Sequence, residues 1–323
     1  MNLVMPNLKV PWRVAQWFEK QRLTLLKSQC DRLIADTPPL LTNAESVDFE
    51  VHSLLGRRHV GMCLWSIKSL LHFAGKQYRI ILHDDGSLTE KNIRQLEHHL
   101  VNVKVIRKFD ADGQVAGMLK SYPEALGYRF GTLAQTEWGR RLSVFSLKLL
   151  DFNLLATAAK ILVLDTDVLF FSRPNEIIRW AEDPASSECL YCYDEYRPVR
   201  NHAGRLTGFD RKSEPQCYFN SGLICLTRSA FNLPVFNEWI AKNKGRVDTA
   251  YTFEQQAYNY LVHCTDSHSP LPAVYSFNYN DSNCIATHFG IKLLFFRNIR
   301  RVHKALMGLD SRNGPSPCQL TEG

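Results

Sequence analysis

Two aspartates, Asp165 and Asp167, follow directly on the most apolar run of the chain, Ile161-Leu162-Val163-Leu164. Carboxylates at i and i+2 beyond a buried strand can converge on one divalent cation, directly or through water. Such a hard cation prefers oxygen ligands and bridges readily to a diphosphate. Two charged groups beside an apolar run would be costly as packing alone; the bland alternative is a solvated turn after a strand. Further residues elsewhere in the chain have chemistry to offer. Lys148, on the helix ahead of that strand, is a point charge suited to a nucleotide diphosphate, or else an exposed helix lysine. Asn220 interrupts an apolar strand, where a buried amide needs partners that sugar hydroxyls would provide. Asp84 and Asp85, before a glycine turn, fit either ligand binding or ordinary helix entry. Glu254 and Gln255 open a helix, where a carboxylate is favoured in any case. His288 and His303 are the two candidates for a cation-binding histidine. His303 lies among Arg297, Arg300, Arg301 and Lys304, poor company for a cation ligand, so His288 is preferred.

The elements that must position these residues follow a βα rhythm. Phe49 to Leu55 is strand-like, Gly56 breaks it, and Val60, Cys63, Leu64, Ile67 and Leu71 follow at helical spacing. Tyr78 to His83 reads as a second strand, with Ser87 and Glu90 as a capping box for the next helix. Val101, Val103, Val105 and Ile106 read as a third. A helix over Leu142 to Leu155 feeds the Ile161–Leu164 strand; Tyr218 to Leu226 is another strand and 253–262 another helix. Alternation of this kind predicts a mostly parallel sheet covered by helices on both faces. Residues 107–141 carry few strand signals, and 194–216 read as a long polar loop with Gly204, Gly208 and Pro215. The domain expectation is a helical extension over 1–47, one α/β domain over 48–306, and a flexible tail over 307–323. In the extension Pro11 sits at a first helical turn, Val14, Trp17, Phe18, Leu25 and Leu26 form a rough stripe, and Pro38-Pro39 stop it. Its expected place is packed on the flank of the domain, with a membrane or partner anchor as the alternative.

Composition narrows the classes. With 323 residues, 45% hydrophobic and 22% charged, the chain is neither disordered, collagen-like nor low-complexity. Nine cysteines are odd in number and mostly inside apolar runs, as reduced thiols are. Cys189 and Cys192 form the one close pair, with no second pair at zinc spacing. The start lacks the pattern of a signal peptide, no run of about 18 apolar residues occurs, and the expected setting is cytoplasmic. The formal charge of +7 comes from 39 Lys and Arg against 32 Asp and Glu. Lys292, Arg297, Arg300, Arg301 and Lys304 account for five of it; without them 34 basic residues face 32 acidic ones. The excess is thus a basic amphipathic helix, fit to hold an anionic donor, to touch an anionic membrane through 292–306, or simply to be solvated. No zinc-finger, RRM or helix-turn-helix pattern points to nucleic acid.

Taken together, these motifs resemble a family. Asp165-Thr166-Asp167 resembles the D-x-D of GT-A nucleotide-sugar glycosyltransferases. Phe219-Asn220-Ser221-Gly222 is similar to the F-N-[AS]-G strand of the glycogenin-like retaining group, bordering its sugar pocket. Glu254-Gln255-Gln256 stands where that group usually has Asp-Gln-Asp, and His288-Phe289-Gly290 resembles its C-terminal metal histidine. The resemblance spans roughly residues 48 to 305. It implies a single-domain GT-A (Rossmann-like) fold and transfer of a sugar, hexose first, from a nucleoside-diphosphate sugar, UDP-sugar first. Mn²⁺ or Mg²⁺ would be held by Asp165, Asp167 and His288. Asp84, Asp85, Lys148, Asn220, Ser221 and Gly222 would bind the donor, and Glu254 and Gln255 would be catalytic. The acceptor would be a glycan, a lipid-linked sugar or a small molecule. Glu254 adds a methylene to the usual Asp, and the usual Lys-Pro-Trp after the histidine is absent, with Lys292 the nearest lysine. Retention or inversion stays open; for inversion Asp194 or Glu195 would be the base. Two other readings are a phosphotransferase of the haloacid dehalogenase type, which also puts D-x-D after a strand, and a nucleotide-binding scaffold without turnover.

Overall fold

The computed structural model describes residues 12–43, 48–194, 196–200, 206–211, 218–248, 252–275 and 283–309. Pro11, Glu195, Gly204, Pro215, Cys217 and most of the expected tail, 310–323, lie outside the described residues. The chain begins with α1 (Trp12–Ala35), β1 (Leu40–Leu41), β2 (Phe49–Leu55), α2 (Val60–Ala74), β3 (Arg79–Asp84), α3 (Glu90–His99), β4 (Leu100–Val101) and β5 (Lys104–Ile106). Four helices follow, α4 (Lys108–Met118), α5 (Pro123–Arg129), α6 (Glu137–Leu142) and α7 (Phe145–Leu155). Next come β6 (Lys160–Leu164), β7 (Val168–Phe170), α8 (Asn175–Glu182), β8 (Cys189–Tyr193), β9 (Tyr196–Arg200), β10 (Leu206–Arg211) and β11 (Phe219–Thr227). The described chain closes with α9 (Leu233–Asn243), α10 (Phe253–His263), β12 (His268–Pro270), β13 (Ala286–His288) and α11 (Lys292–Leu306).

Seven strands form the central sheet in the order β12-β8-β11-β6-β2-β3-β5. β6, β2, β3 and β5 run parallel, whereas β11 is antiparallel to both β6 and β8. The mostly parallel α/β sheet is as expected, and its central strand shows why. All five residues of β6 are buried, and successive side chains leave a strand on opposite faces. Leu162 and Leu164 join the cluster that also holds Cys30, Ile34, Leu64, Ile67, Phe295 and Ile299. Ile161 and Val163 join the one that holds Leu149, Phe152, Phe236 and Tyr258. An apolar residue at every position is what a strand covered on both faces requires. Cys30 and Ile34 of α1 are in the first cluster, so the N-terminal helix shares the core of the sheet.

Some elements differ from expectation for local reasons. Helix α3 starts two residues later than the Ser87/Glu90 box. Thr89 is its N-cap, in a capping box with Asn92, while the Ser87 hydroxyl accepts from the Arg57 N–H at 2.9 Å. The expected third strand is split. β4 pairs with β1 in a ladder of its own, and only β5 joins the main sheet; the break falls where Asn102 takes a φ of 68°. The polar stretch from 194 contains an antiparallel hairpin, β9 with β10; backbone pairing needs no apolar side chains, so the sequence pattern did not mark it. The 107–141 stretch is helical, with Pro123 in the first turn of α5.

On β2 and β3 lies a buried polar chain. His52 Nδ1 is 2.9 Å from His83 Nε2, and His52 Nε2 is 3.2 Å from Glu50 Oε2. Burial pushes the pKa of both imidazoles below the ordinary range, His83 further because His52 and Lys104 add positive potential. The unfolded chain therefore takes up protons below about pH 6.5 that the folded chain refuses. Stability from this pair is present above that pH and lost as pH falls, by about 1.4 kcal/mol per pH unit per proton. A melting temperature that drops from pH 7.5 to 5.5, with a shallower drop in His83→Phe, is the expected result of thermal unfolding. Equal slopes would remove the assignment.

Candidate active site

The sheet order brings the sequence motifs to one place. Asp165 follows the last residue of β6. Because β11 runs antiparallel, with Leu223 opposite Leu164, its first residues Asn220, Ser221 and Gly222 lie beside that carboxyl end, and the Asp165 N–H donates to Gly222 O at 2.8 Å. Pairing of β11 with β8 shifts register between Asn220 and Ile224, a bulge that frees this segment from one ladder. β13 then pairs antiparallel with β7, placing His288 opposite Val168. Helix α7 carries Lys148, and α10 carries Glu254 in its first turn.

Three side chains converge. Asp165, Asp167 and His288 offer ligand atoms that all lie within 4.8 Å of one another. His288 Nε2 is 3.1 Å from Asp167 Oδ1 and 3.7 Å from Asp165 Oδ2. On the other side of the ring, Nδ1 lies 2.8 Å from Asn220 Oδ1. An amide oxygen only accepts, so Nδ1 bears a proton, and Nε2 is the ring nitrogen that faces the two carboxylates. The Gly222 N–H also donates to Asn220 Oδ1, at 2.8 Å, which holds the amide in place. Gly222 is required here by contact: a Cβ on it would lie 2.4 Å from His288 Nδ1. Burial would push the His288 pKa down, but Asp167 and Asp165 outweigh it and hold it raised. Asp167 is lowered: burial works against the charge, and the His288 ring overcomes it. All three remain partly open to solvent, 17–28% exposed.

Beneath them lies a buried charge cluster. Lys148, 3% exposed, has its Nζ 2.8 Å from Asp165 Oδ1 and 3.2 Å from Glu254 Oε1. It also donates to Ser221 O at 2.8 Å. The Ser221 hydroxyl donates to Glu254 Oε2 at 3.1 Å. Burial alone would depress the ammonium, yet Asp165 and Glu254 raise it to about 12. Burial raises Glu254, and Lys148 pulls back only part of that. Lys148 is therefore no exposed helix lysine. Gln255, next to Glu254, is half-buried.

The acidic turn after β3 is divided in role. Asp84 is 2% exposed; its Oδ1 accepts from the Gly86 and Leu88 N–H groups at 2.8 and 3.0 Å, and Oδ2 from Arg107 Nε at 3.1 Å. Both oxygens thus hold the turn, which is also why α3 starts later. Asp85 is half-buried and lies against Gly56, where a Cβ would meet its Oδ2 at 2.1 Å. His303 is not among the convergent ligands; its ring packs edge-on to Trp65, 6.1 Å away. Asp194 is 6% exposed and its N–H donates to Tyr218 O at 2.7 Å.

Three contacts escaped the sequence reading. The Ser66 hydroxyl donates to Asp165 O at 3.2 Å, and the Tyr258 hydroxyl to Lys148 O at 2.8 Å. His59 Nε2 sits 3.2 Å from Lys292 Nζ; burial lowers its pKa first and Lys292 next, while Asp167 and Asp85 oppose them. Ser66 and Tyr258 sit at helical spacing among apolar residues, which reads as core, and His59 meets a partner from the far end of the chain.

No protein-family model and no curated protein sequence matches the chain. Solved structures do match. An active-site mutant of LgtC aligns with a TM-score of 0.50 at 13% identity, over 78% of this chain and 95% of that one. Galactosyltransferase LgtC with donor and acceptor sugar analogues gives 0.49 at 13%, over 81% and 98%. Mouse xyloside xylosyltransferase 1 in its apo form gives 0.49 at 12%, over 79% and 99%. With its D-x-D at the carboxyl end of β6, after β2 and β3 rather than on the first strand, the chain has the GT-A glycosyltransferase fold.

Proposed function

We propose that the protein is a metal-dependent glycosyltransferase that moves a sugar, a hexose first, from a nucleoside-diphosphate sugar to an acceptor hydroxyl. The observation that carries this reading is the convergence of Asp165, Asp167 and the Nε2 of His288 beyond the end of β6. Two carboxylates and one imidazole form a donor set suited to Mn²⁺ or Mg²⁺. The charge also fits: three carboxylates against one ammonium leave −2 on Asp165, Asp167, Glu254 and Lys148, which a divalent cation balances. Asp165, Asp167 and His288 would hold that cation, which supplies Lewis-acid neutralisation of a departing diphosphate.

The remaining residues orient and charge the site. Asn220 fixes the histidine tautomer, and Lys148 holds Asp165 in place through a contact buried from water. Glu254, tied to Lys148 and Ser221, and its neighbour Gln255 are assigned to the sugar side of the site, with Asn220, Ser221 and Gly222 lining it. Asp85 is assigned to the nucleoside, on a turn shaped by Asp84. UDP is the first base to test, and a glycan, a lipid-linked sugar or a small molecule is the acceptor class.

Donor hydrolysis tests the reading. With UDP-, GDP- and CMP-sugars, at least one is expected to release its nucleotide with Mn²⁺ or Mg²⁺. EDTA, or Asp165→Ala, is expected to lower the rate by about a hundredfold or more. Equal rates in EDTA or in Asp165→Ala would overturn the metal assignment. No turnover and no thermal shift with any nucleotide and Mn²⁺ would leave a scaffold.

A further inference from the structure

Helix α1 has two apolar faces. One, with Leu23, Leu26, Cys30 and Ile34, packs on the main core. On the opposite side Val14, Trp17, Phe18 and Leu25 are 42%, 56%, 59% and 65% exposed. Their spacing of three, four and eleven residues keeps them on one stripe of a helix. The Trp17 and Phe18 rings meet edge to face at 5.0 Å, so they form one apolar body. Outward aromatic pairs of this kind mark a contact surface rather than scattered surface apolars. Lys20 and Arg22, both exposed, flank the stripe.

Helix α11 lies against α1, with the Cys30 thiol 3.6 Å from Phe296 O. It buries Phe295, Phe296, Ile299 and Val302 and leaves Arg297, Arg300 and Lys304 exposed. The two helices together hold ten of the 39 Lys and Arg but two of the 32 Asp and Glu, a balance of +8. The rest of the chain has 29 basic residues against 30 acidic. The net charge of the protein thus resides on one pair of packed helices, and one of the pair carries an exposed aromatic stripe. No helix of the described residues is long and apolar enough to cross a membrane.

We propose that α1 and α11 dock the protein on an anionic phospholipid surface, Trp17 and Phe18 entering the headgroup layer and the cations of both helices facing the lipid charge. An aromatic stripe fringed by Lys and Arg is the pattern of a helix lying in a bilayer interface. A second copy of this chain would set +8 against +8, so self-association by this face is opposed by charge. A bilayer of mixed neutral and anionic lipid complements both the stripe and the charge. The inference goes beyond sugar transfer and does not depend on it.

Co-sedimentation of the full chain with phosphatidylcholine vesicles, and with vesicles containing a quarter phosphatidylglycerol, tests it. The protein is expected to pellet with the anionic vesicles at low salt, to stay in solution with the neutral ones, and to be released at about 0.5 M salt. Trp17→Ser with Phe18→Ser is expected to weaken partitioning about tenfold or more, and so is Arg297→Gln with Arg300→Gln and Lys304→Gln. These side chains are exposed, and unchanged thermal unfolding checks that both variants fold. Failure of the wild type to bind anionic vesicles, equal binding to neutral ones, or wild-type binding by the Trp17/Phe18 variant would each overturn the proposal. A wild-type dimer that the same variant turns into a monomer would also overturn it, in favour of a second copy.

Discussion

Replacing Lys148 with Met is expected to destabilise the protein by about 3–5 kcal/mol, the usual cost of removing one partner from a buried charge cluster. Nζ is the cation that lies between Asp165 and Glu254, at 2.8 and 3.2 Å. Met fills a similar volume, so lost packing contributes little and the penalty is electrostatic. Without the ammonium, Glu254 stays buried beside Asp165 and Ser221, and its already raised pKa has no opposing lysine. It would relieve itself by taking a proton, so the loss should be smaller at acid pH than at pH 8. Glu254→Gln keeps the shape and the Ser221 contact but removes one carboxylate, so Lys148→Met with Glu254→Gln should be more stable than Lys148→Met alone. Thermal or urea unfolding of the four proteins forms a double-mutant cycle. A Lys148→Met protein as stable as wild type, or a double variant equal to the sum of the singles, would show that the cluster is not coupled as its geometry requires.

The fold was legible where the pattern was set by burial. An unbroken apolar run ending in two acids predicts a central strand with a site at its end, and β6 is that strand. His288 was preferable to His303 for the same reason: the first ends a short strand-like run, the second sits among helical arginines. Asn220 stood out because an amide on an apolar strand needs a partner, and the partner is the His288 ring. Other features had no local signal. Two capping patterns overlap, Ser87/Glu90 and Thr89/Asn92, and only the first has the Glu or Gln at the third position that marks a capping box in sequence. Asp84 decides between them by accepting from the Gly86 and Leu88 N–H groups, a contact fixed only once Arg107 from the end of β5 arrives. Lys148 gave a charge on the helix ahead of the strand, but its place as the hub of Asp165, Ser221 and Glu254 depends on three elements meeting. The two-faced character of α1 was equally hidden. Its apolar residues read as one rough stripe, and only the packing shows that Cys30 and Ile34 point inward while Trp17 and Phe18 do not.

Gly222→Ala should empty the proposed cation site while leaving the fold standing. The added Cβ would lie 2.4 Å from His288 Nδ1 and 2.7 Å from two ring carbons. The backbone of His288 cannot yield freely, since β13 pairs with β7 at Val168 and the Phe289 N–H donates to Asp167 O at 2.9 Å. The backbone on the other side is equally constrained: Gly222 O accepts from Asp165, and Gly222 N–H donates to Asn220. The least costly escape is rotation of the His288 side chain, which breaks the bond to Asn220 and carries Nε2 away from Asp165 and Asp167. Loss of an orienting contact of this kind weakens metal binding by about 10–100-fold, and loss of the ligand itself places the effect at the upper end. Overpacking by one methyl costs about 1–3 kcal/mol, too little to unfold a domain of this size. Asn220→Ala separates orientation from ligation: the ring stays but its tautomer is no longer held, so the loss should be about tenfold. Titration of each protein with Mn²⁺, read by the paramagnetic resonance of the free ion, measures the difference. Wild-type affinity in Gly222→Ala would mean that His288 is not a ligand; equal losses in the two variants would mean that the glycine acts through Asn220 alone.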